Sequence, residues 1–329
     1  MQKKMIIKGK DKKVVILAFN FGISGEMVNG PGISLRNLLL FVKTFYPNIS
    51  FSVFTRYPVT DSIAGSCFYK IGDKDKLKSE IEKADVVHCW SGLRANFLDG
   101  IKIANSLFKP VILGPNLLDS VEFKAEKIML SGIDFNMLLT ANPRLKYILA
   151  KLHKIDHNKI RSFMVGPDLD LWKVSENTKE YILWKGNSAQ PVKDIQFAKN
   201  VAQKLREYKF LFLGDKKSFN YMDHIQQASQ AKLYINTSLS ETKGMAQLEQ
   251  MAAGVPSVVH PKIYCHGENY VTGIITNKTI NDYVDAIKEI LEDNSLRQMM
   301  RLGARKYVEK NYNPLDIAKK YWEILEHVG

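Results

Sequence analysis

Short apolar runs alternate with longer amphipathic stretches along the first half of the chain. Continuous apolar runs are typical of parallel strands covered on both faces, and apolar residues spaced three or four positions apart predict helices. The predicted strands are residues 14–19, 51–55, 84–89, 110–114 and 137–140, and the first helix is expected to begin near Ser34. This order predicts a β-α-β series.

A second series of the same kind follows a polar stretch at residues 168–179. Alternating strands and helices predict α/β domains with parallel sheets, and the pattern from residue 280 to 328 is almost entirely helical. We therefore expect an N-terminal domain of residues 1–168, a second domain of residues 169–310 and a C-terminal helical segment of residues 311–329. The predicted strands of the second domain are residues 181–184, 209–214, 233–237 and 257–260.

Length and composition agree with this division. A chain of 329 residues with 45% hydrophobic residues suits two domains of about 150 residues each. Its three cysteines lie far apart with no CxxC pair, which favours a reducing compartment. The lysine-rich start leads into an apolar run too short for a signal sequence or a membrane span. We expect a cytoplasmic protein, with peripheral attachment to a membrane left open.

The net charge of +13 bears on the choice of partners. A strongly basic surface attracts phosphates, whether they belong to a sugar nucleotide, an anionic membrane or a nucleic acid. A generally lysine-rich, solvated surface explains the same charge equally well, so the charge alone selects none of these partners.

The stretch from residue 233 to 260 is the most informative part of the sequence, because it predicts a strand, a polar loop, a helix and another strand. Gly254 and Pro256 end the helix. Its first turn presents the backbone N–H groups of Gly244, Met245 and Ala246, and the missing side chain of Gly244 lets an anion come close. This segment therefore predicts a diphosphate pocket.

Two carboxylates flank that pocket. Glu241 precedes the helix and Glu249 lies within it, so one suits sugar hydroxyls and the other ribose hydroxyls, unless both are surface glutamates of an ordinary helix. This Glu-x7-Glu spacing, followed by Met-Ala-Ala-Gly-Val-Pro-Ser-Val-Val at residues 251–259, resembles the signature of retaining GT-B glycosyltransferases of glycosyltransferase family 4, also called glycosyl transferases group 1.

The resemblance implies a GT-B fold, that is, an α/β protein with two Rossmann-like domains whose parallel sheets face each other across a cleft. It also implies that the last helix returns to the first domain, that the nucleotide sugar binds mainly on the second domain and the acceptor on the first, and that the anomeric configuration is retained. Glu241 would position the sugar and Glu249 the ribose. Neither a metal ion nor a permanently bound cofactor is expected.

The cationic side of the site follows from a second match. Lys185-Gly186-Asn187 with Lys193 resembles the Gly-Arg and downstream Lys with which the family neutralises the donor diphosphate. Asn187 stands where an arginine is usual. We therefore expect Lys193, helped by Lys185 or Lys243, to supply the positive charge.

Other candidates are weaker. Asn29-Gly30-Pro31-Gly32 resembles the family's glycine loop near the donor phosphate, although such a sequence is also an ordinary turn. His88 suits packing at a strand end as well as a site, and His260 and His266 are candidates to border the cleft. The expected catalytic residues are Glu241, Lys193 and Asn187, and the expected donor-binding residues are Gly30, Gly32, Lys185, Gly186, Lys243, Gly244, Met245, Ala246 and Glu249.

The expected reaction transfers a hexose from a nucleotide sugar, with a UDP-sugar favoured over a GDP-sugar, to a hydroxyl of a lipid-linked or surface glycan precursor. Two alternatives stay open: transfer to a modified DNA base, and a sugar-nucleotide epimerase or hydrolase of the same fold. Residues 214–241 form a shorter segment than the family usually has where it recognises the base, so the nucleotide is left open. No serine-hydrolase elbow, Walker loop or HExxH motif occurs.

Overall fold

The computed structural model of the chain describes residues 6–7, 9–19, 21–22, 29–57, 59, 62–90, 97–116, 133–214, 221–263 and 265–329. The chain forms two compact units. Unit 1 comprises Met1–Val165 and Pro314–Gly329, and unit 2 comprises Gly166–Asn313.

Unit 1 is built on a parallel sheet with strand order β3-β2-β1-β4-β5-β6-β7. This order, in which the chain starts in the middle and reverses after β3, is that of a Rossmann fold. Its strands are β1 Lys12–Leu17, β2 Ile49–Thr55, β3 Ser66–Lys70, β4 Val86–Cys89, β5 Val111–Asn116, β6 Met137–Thr140 and β7 Ile160–Ser162. Its helices are α1 Gly30–Phe45, α2 Lys74–Glu82, α3 Leu98–Ser106, α4 Pro143–His153 and, at the end of the chain, α10 Pro314–Val328.

Each strand predicted in this half of the sequence is present, with ends shifted by at most two residues. β3 and β7 were not predicted. The five residues of β3 are all exposed or half-buried at the sheet edge, and β7 has three residues of which one is buried. Neither has the continuous apolar run that identifies a strand covered on both faces.

The helices cover the two faces of this sheet. The inner sides of α2, α3 and α4 pack on one core, which includes Leu77, Ile101 and Leu149. The helices α1 and α10 pack against each other. The ring of Tyr46, which directly follows α1, stacks on the ring of Trp322 in α10 at a centroid distance of 5.2 Å. The last helix is therefore part of unit 1.

Unit 2 is built on a parallel sheet with strand order β12-β11-β10-β8-β9. Its strands are β8 Tyr181–Lys185, β9 Lys209–Leu213, β10 Leu233–Ile235, β11 Ser257–Val259 and β12 Gly273–Ile275. Its helices are α5 Ile195–Lys204, α6 Tyr221–Ser229, α7 Met245–Ala252, α8 Ile280–Glu292 and α9 Asn294–Asn311. The predicted strands are present, whereas the three-residue β12 and the helix α6 were not predicted.

The order of this second sheet has a functional consequence. The chain runs from β8 outward to β9 and then returns to the other side of β8 with β10. In open α/β sheets, ligands bind outside the carboxyl ends of the strands at the point where the order reverses. The carboxyl ends of β8 and β10 are therefore the expected ligand position in unit 2.

Candidate active site

The charged residues singled out in the sequence lie at the reversal point of the unit 2 sheet. Lys185 is the last residue of β8, and Glu241 lies in the loop between β10 and α7. Glu249 projects from α7, which follows that loop. The fold thus brings together three segments that are up to 64 residues apart in the sequence.

The first pair joins Lys193 and Glu241. The Lys193 Nζ lies 2.5 Å from the Glu241 Oε1, and the Ser238 hydroxyl donates to the same oxygen at 2.9 Å. Both charged side chains keep some contact with solvent, at 23% and 12% exposure. The pair is therefore accessible to a ligand that competes for either partner.

The turn that carries Lys193 is fixed to the end of β10. The Thr237 hydroxyl lies 3.1 Å from the backbone oxygen of Lys193 and 3.0 Å from that of Asp194. Two residues after Thr237, the Leu239 N–H donates to the carbonyl of Val192, the residue before Lys193, at 2.7 Å. These bonds place the lysine beside Glu241 through the backbone, so its position does not depend on the ion pair alone.

The second pair joins Lys185 and Glu249 and is more deeply buried. The Lys185 ammonium contacts the Glu249 Oε2, and the Tyr221 hydroxyl donates to the Oε1 at 3.0 Å. Lys185 also lies over the ring of Trp172, 4.7 Å from its centroid. Glu249 is only 4% exposed, and a buried charge is tolerated where it is paired and hydrogen-bonded in this way.

The start of α7 has the features of an anion site. Gly244, the N-cap residue, adopts the left-handed conformation with φ 58° and has no side chain that could cap the helix by a hydrogen bond. The first-turn amides around Met245 and Ala246 lack partners within the helix, and the helix dipole adds positive potential. An anion would supply the acceptors that these donors require.

Lys243, directly before this helix start, is nearly buried. Burial lowers the pKa of its ammonium to about 7, while the negative charge of Glu249 acts in the opposite direction. The Lys243 carbonyl lies 2.7 Å from the Nε2 of His266. An anion bound nearby would favour the protonated form of this lysine.

Gly186 and Asn187 differ in what surrounds them. A Cβ at Gly186 would lie 3.1 Å from the ring of Trp184 and 3.4 Å from the Cγ of Lys193, so the glycine makes room for the lysine stem. Asn187 is exposed, and its Oδ1 accepts from the Ala189 N–H at 3.0 Å. This local turn does not place the Asn187 side chain in either ion pair, and its expected catalytic role stays a prediction.

Gly30 and Gly32 lie in unit 1. The segment that was expected to form a loop is the first turn of α1, because Asn29 caps the helix by accepting from the Gly32 N–H at 3.0 Å. A Cβ at Gly30 would meet nothing within 4 Å, so local packing does not require a glycine there. Their contact with a donor stays a prediction.

Several residues that support the site carry no signal in the sequence. Tyr221 and Trp172 meet the Lys185–Glu249 pair only through the fold, and an aromatic residue at a helix start or in a linker is ordinary. His260, by contrast, was already a candidate in the sequence, and it holds the loop before Glu241 with its Nε2 2.8 Å from the Ser238 carbonyl. Among the described residues, no three His, Cys, Asp or Glu side chains form a group suited to a metal ion.

Comparison with known proteins agrees with this geometry. Residues 144–307, which include nearly all of unit 2, match the family described as "Glycosyl transferases group 1". Unit 2 therefore belongs to that family. The predicted family resemblance is therefore confirmed.

Similar proteins extend the comparison. The sulfoquinovosyl transferase SQD2 of Arabidopsis thaliana is 28% identical over 142 residues, which cover 36% of this chain and 28% of that protein. The chain thus aligns with less than a third of this curated relative.

Solved structures resemble the chain over most of its length. A glycosyltransferase from Rickettsia africae ESF-5 has a TM-score of 0.69 and 13% identity, with 97% of this chain and 99% of that chain covered. Sucrose-phosphate synthase from Thermosynechococcus elongatus has a TM-score of 0.73 and 14% identity, with 96% and 98% covered. At these identities the likeness shows the fold, and the predicted GT-B class is confirmed. No helix in the described ranges has the length and hydropathy of a membrane span.

Proposed function

We propose that this protein is a retaining glycosyltransferase that moves a hexose from a nucleotide-sugar donor to a hydroxyl acceptor. The observation that carries the proposal is the pair of lysine–carboxylate contacts at the carboxyl ends of β8 and β10, beside the start of α7 at Gly244. Membership of the glycosyl transferases group 1 supports it. A UDP-sugar is the favoured donor and a GDP-sugar the second choice.

The diphosphate of the donor fits the positive side of the site. The α7 amides and Lys243 would bind its oxygens, and Lys193 would move from Glu241 to the phosphate, because a phosphate accepts charge-assisted hydrogen bonds as a carboxylate does. Glu241, released from the lysine, would then accept hydrogen bonds from the sugar hydroxyls. Glu249, held by Lys185 and Tyr221, would accept those of the ribose.

The same groups suit the chemical step. Negative charge grows on the diphosphate as its bond to the sugar breaks, and fixed cations and helix amides stabilise that charge. The acceptor hydroxyl would attack from the face that the diphosphate leaves and pass its proton to a diphosphate oxygen. This course retains the anomeric configuration and requires neither a protein nucleophile nor a metal ion.

The distribution of charge bears on the acceptor. Unit 1 has 27 Lys and Arg residues against 17 Asp and Glu residues, whereas unit 2 has 20 against 17. Most of the positive charge therefore belongs to unit 1, on which the acceptor is expected to bind. This favours an acceptor held at an anionic surface, and we propose a lipid-linked or surface glycan precursor at the cytoplasmic face of a membrane.

The experiment is a calorimetric panel of UDP-, GDP-, ADP- and TDP-hexoses, followed by transfer assays with the donor that binds. We expect one nucleotide to bind selectively, and NMR of the product to show the anomeric configuration of the donor. Inversion would overturn the retaining mechanism. Donor turnover without acceptor would favour an epimerase or hydrolase, and a salt-sensitive shift of duplex DNA would favour a DNA acceptor.

A further inference from the structure

The outer face of α4 in unit 1 departs from the usual pattern of a surface helix. Its inner stripe, with Leu145 and Leu149, packs into the core. On the opposite side, two large apolar residues stand side by side: Tyr147 is 68% exposed and Ile148 is 44% exposed. A surface helix normally places polar residues on that side, whereas this helix has apolar groups on both faces.

Basic residues surround these apolar side chains. Arg144 and Lys151 are exposed and fall on the same stripe, at the i, i+3, i+4, i+7 spacing that aligns residues on one helix face. Lys154, exposed, follows the end of the helix. From residue 143 to 161 the sequence has six basic residues and one acidic residue, Asp156. The stripe therefore has an apolar centre and positively charged ends.

This combination fits a lipid surface better than a nucleic acid. An aliphatic side chain such as Ile148 gains nothing from a phosphate backbone, but it is favoured at the boundary between headgroups and acyl chains. Tyrosine rings are enriched at that depth, and the long stems of Arg144 and Lys151 let their charges reach anionic headgroups. The net charge of +10 on unit 1 adds a general attraction.

We propose that the stripe formed by Arg144, Tyr147, Ile148 and Lys151 docks the protein on an anionic bilayer, with α4 lying in the plane of the interface. The proposal rests on the proposed function only in its purpose, which is to bring unit 1 to a membrane-borne acceptor. The binding itself requires neither donor nor acceptor.

The test is sedimentation with vesicles of phosphatidylcholine alone or mixed with phosphatidylglycerol. We expect the full chain to bind only the mixed vesicles. Replacing Tyr147→Ser and Ile148→Ser together weakens that binding by about tenfold, since the apolar insertion is lost. Replacing Arg144→Gln and Lys151→Gln weakens it by about fivefold for each charge removed.

A matched control removes the same charge elsewhere in unit 1. Lys78 on α2 and Lys83 just after it are exposed. The pair Lys78→Gln and Lys83→Gln is expected to leave most of the vesicle binding intact. An equal loss in this control would show that charge anywhere on unit 1 suffices, and would overturn the assignment to α4.

Three further measurements separate the remaining outcomes. Calorimetry with UDP-hexose is expected to give the same affinity for every α4 variant. A full chain that binds the donor but no vesicles would overturn the docking surface and leave the proposed function standing. A duplex DNA shift that disappears in the Tyr147/Ile148 variant, without vesicle binding, would overturn the lipid partner. So would a dimer in light scattering that the same variant dissociates.

Discussion

Each unit contains a buried histidine that connects a backbone carbonyl to a tyrosine hydroxyl. In unit 1, the His88 Nε2 lies 2.7 Å from the Gly114 carbonyl and its Nδ1 lies 2.9 Å from the Tyr321 hydroxyl. Burial lowers the pKa of His88 to about 4, against the opposing effect of the bond to Gly114. The neutral ring therefore donates from Nε2 and accepts at Nδ1. It ties α10 to the sheet.

In unit 2, His266 makes the same two contacts at a different place. Its Nε2 lies 2.7 Å from the Lys243 carbonyl, its Nδ1 lies 3.0 Å from the Tyr312 hydroxyl, and burial lowers its pKa to about 4. Here the carbonyl belongs to the residue before the α7 anion site. A histidine at a strand end or loop is thus no guide to function by itself. The charged pairs beside it distinguish unit 2 from unit 1.

The largest predicted effect follows from removing one of those pairs. Glu241→Ala and Lys193→Met are each expected to lower transfer by about 100- to 1,000-fold, because an interaction with developing charge or with the reacting sugar is lost. Steady-state kinetics with the identified donor measures this.

Its control uses the same two strands. Glu180 and Lys232 form an ion pair just before β8 and β10, at the opposite ends of those strands. Glu180→Gln and Lys232→Gln are expected to leave transfer unchanged. Equal losses from both pairs would mean that the effect arises from the stability of unit 2 and not from its carboxyl-end site.

The next largest predicted effect comes from removing the tyrosine hydroxyls that contact the two buried histidines. Tyr321→Phe and Tyr312→Phe each remove a hydroxyl that donates to a buried imidazole, and each is expected to lower the free energy of unfolding by about 1–3 kcal/mol in urea titrations. Only Tyr312→Phe should also weaken donor binding, since His266 holds the Lys243 carbonyl. Equal weakening by Tyr321→Phe would contradict the distinction between the units.

A smaller effect depends on pH. Because burial lowers the pKa of Lys243 to about 7, the free protein loses this positive charge as the pH rises through that value. Binding a diphosphate above pH 7 then requires uptake of a proton. The dissociation constant for a nucleotide sugar is expected to rise about tenfold between about pH 6 and pH 8.

Calorimetric titrations at both pH values test this, with Lys243→Arg as the control. Arginine stays charged throughout this range, so the affinity of Lys243→Arg should depend less on pH. An unchanged pH dependence in that variant would exclude Lys243 as its source.

The smallest effect concerns Tyr221. Tyr221→Phe removes one hydrogen bond to Glu249, while Lys185 still contacts the carboxylate. The KM for the donor is expected to rise about fivefold with little change in kcat, because a binding interaction is lost and not one specific to the transition state. Tyr208→Phe, which removes a similar bond to the exposed Glu292, is the control. A fall in kcat alone would contradict this role.

The strands and site residues that depend on local sequence patterns were predicted from the sequence. The strands at residues 137–140 and 181–184 were found from their apolar runs, since each is buried on both faces. The glycine before α7 and the spacing of Glu241 and Glu249 likewise lie within one continuous segment. Edge strand β3 has no such run and was missed.

Contacts between distant segments were beyond sequence reasoning. Lys185 and Tyr221 contact Glu249 from separate parts of the chain, and Trp172 contacts Lys185 from a third; no periodicity links these residues. The pairing of each carboxylate with a particular lysine was not predicted for the same reason. The contacts of the buried histidines also depend on tertiary structure, which is why the sequence alone left both a packing role and a site role open for His88.

The most direct test of the central claim is a calorimetric titration of the wild type, Glu249→Gln and Lys232→Gln with the nucleotide sugar that binds best, with melting curves to confirm folding. We predict that the wild type and Lys232→Gln bind equally and that Glu249→Gln binds at least about tenfold more weakly, because it loses the carboxylate that accepts the ribose hydroxyls. Undiminished binding by a folded Glu249→Gln would contradict a donor site at the carboxyl ends of β8 and β10.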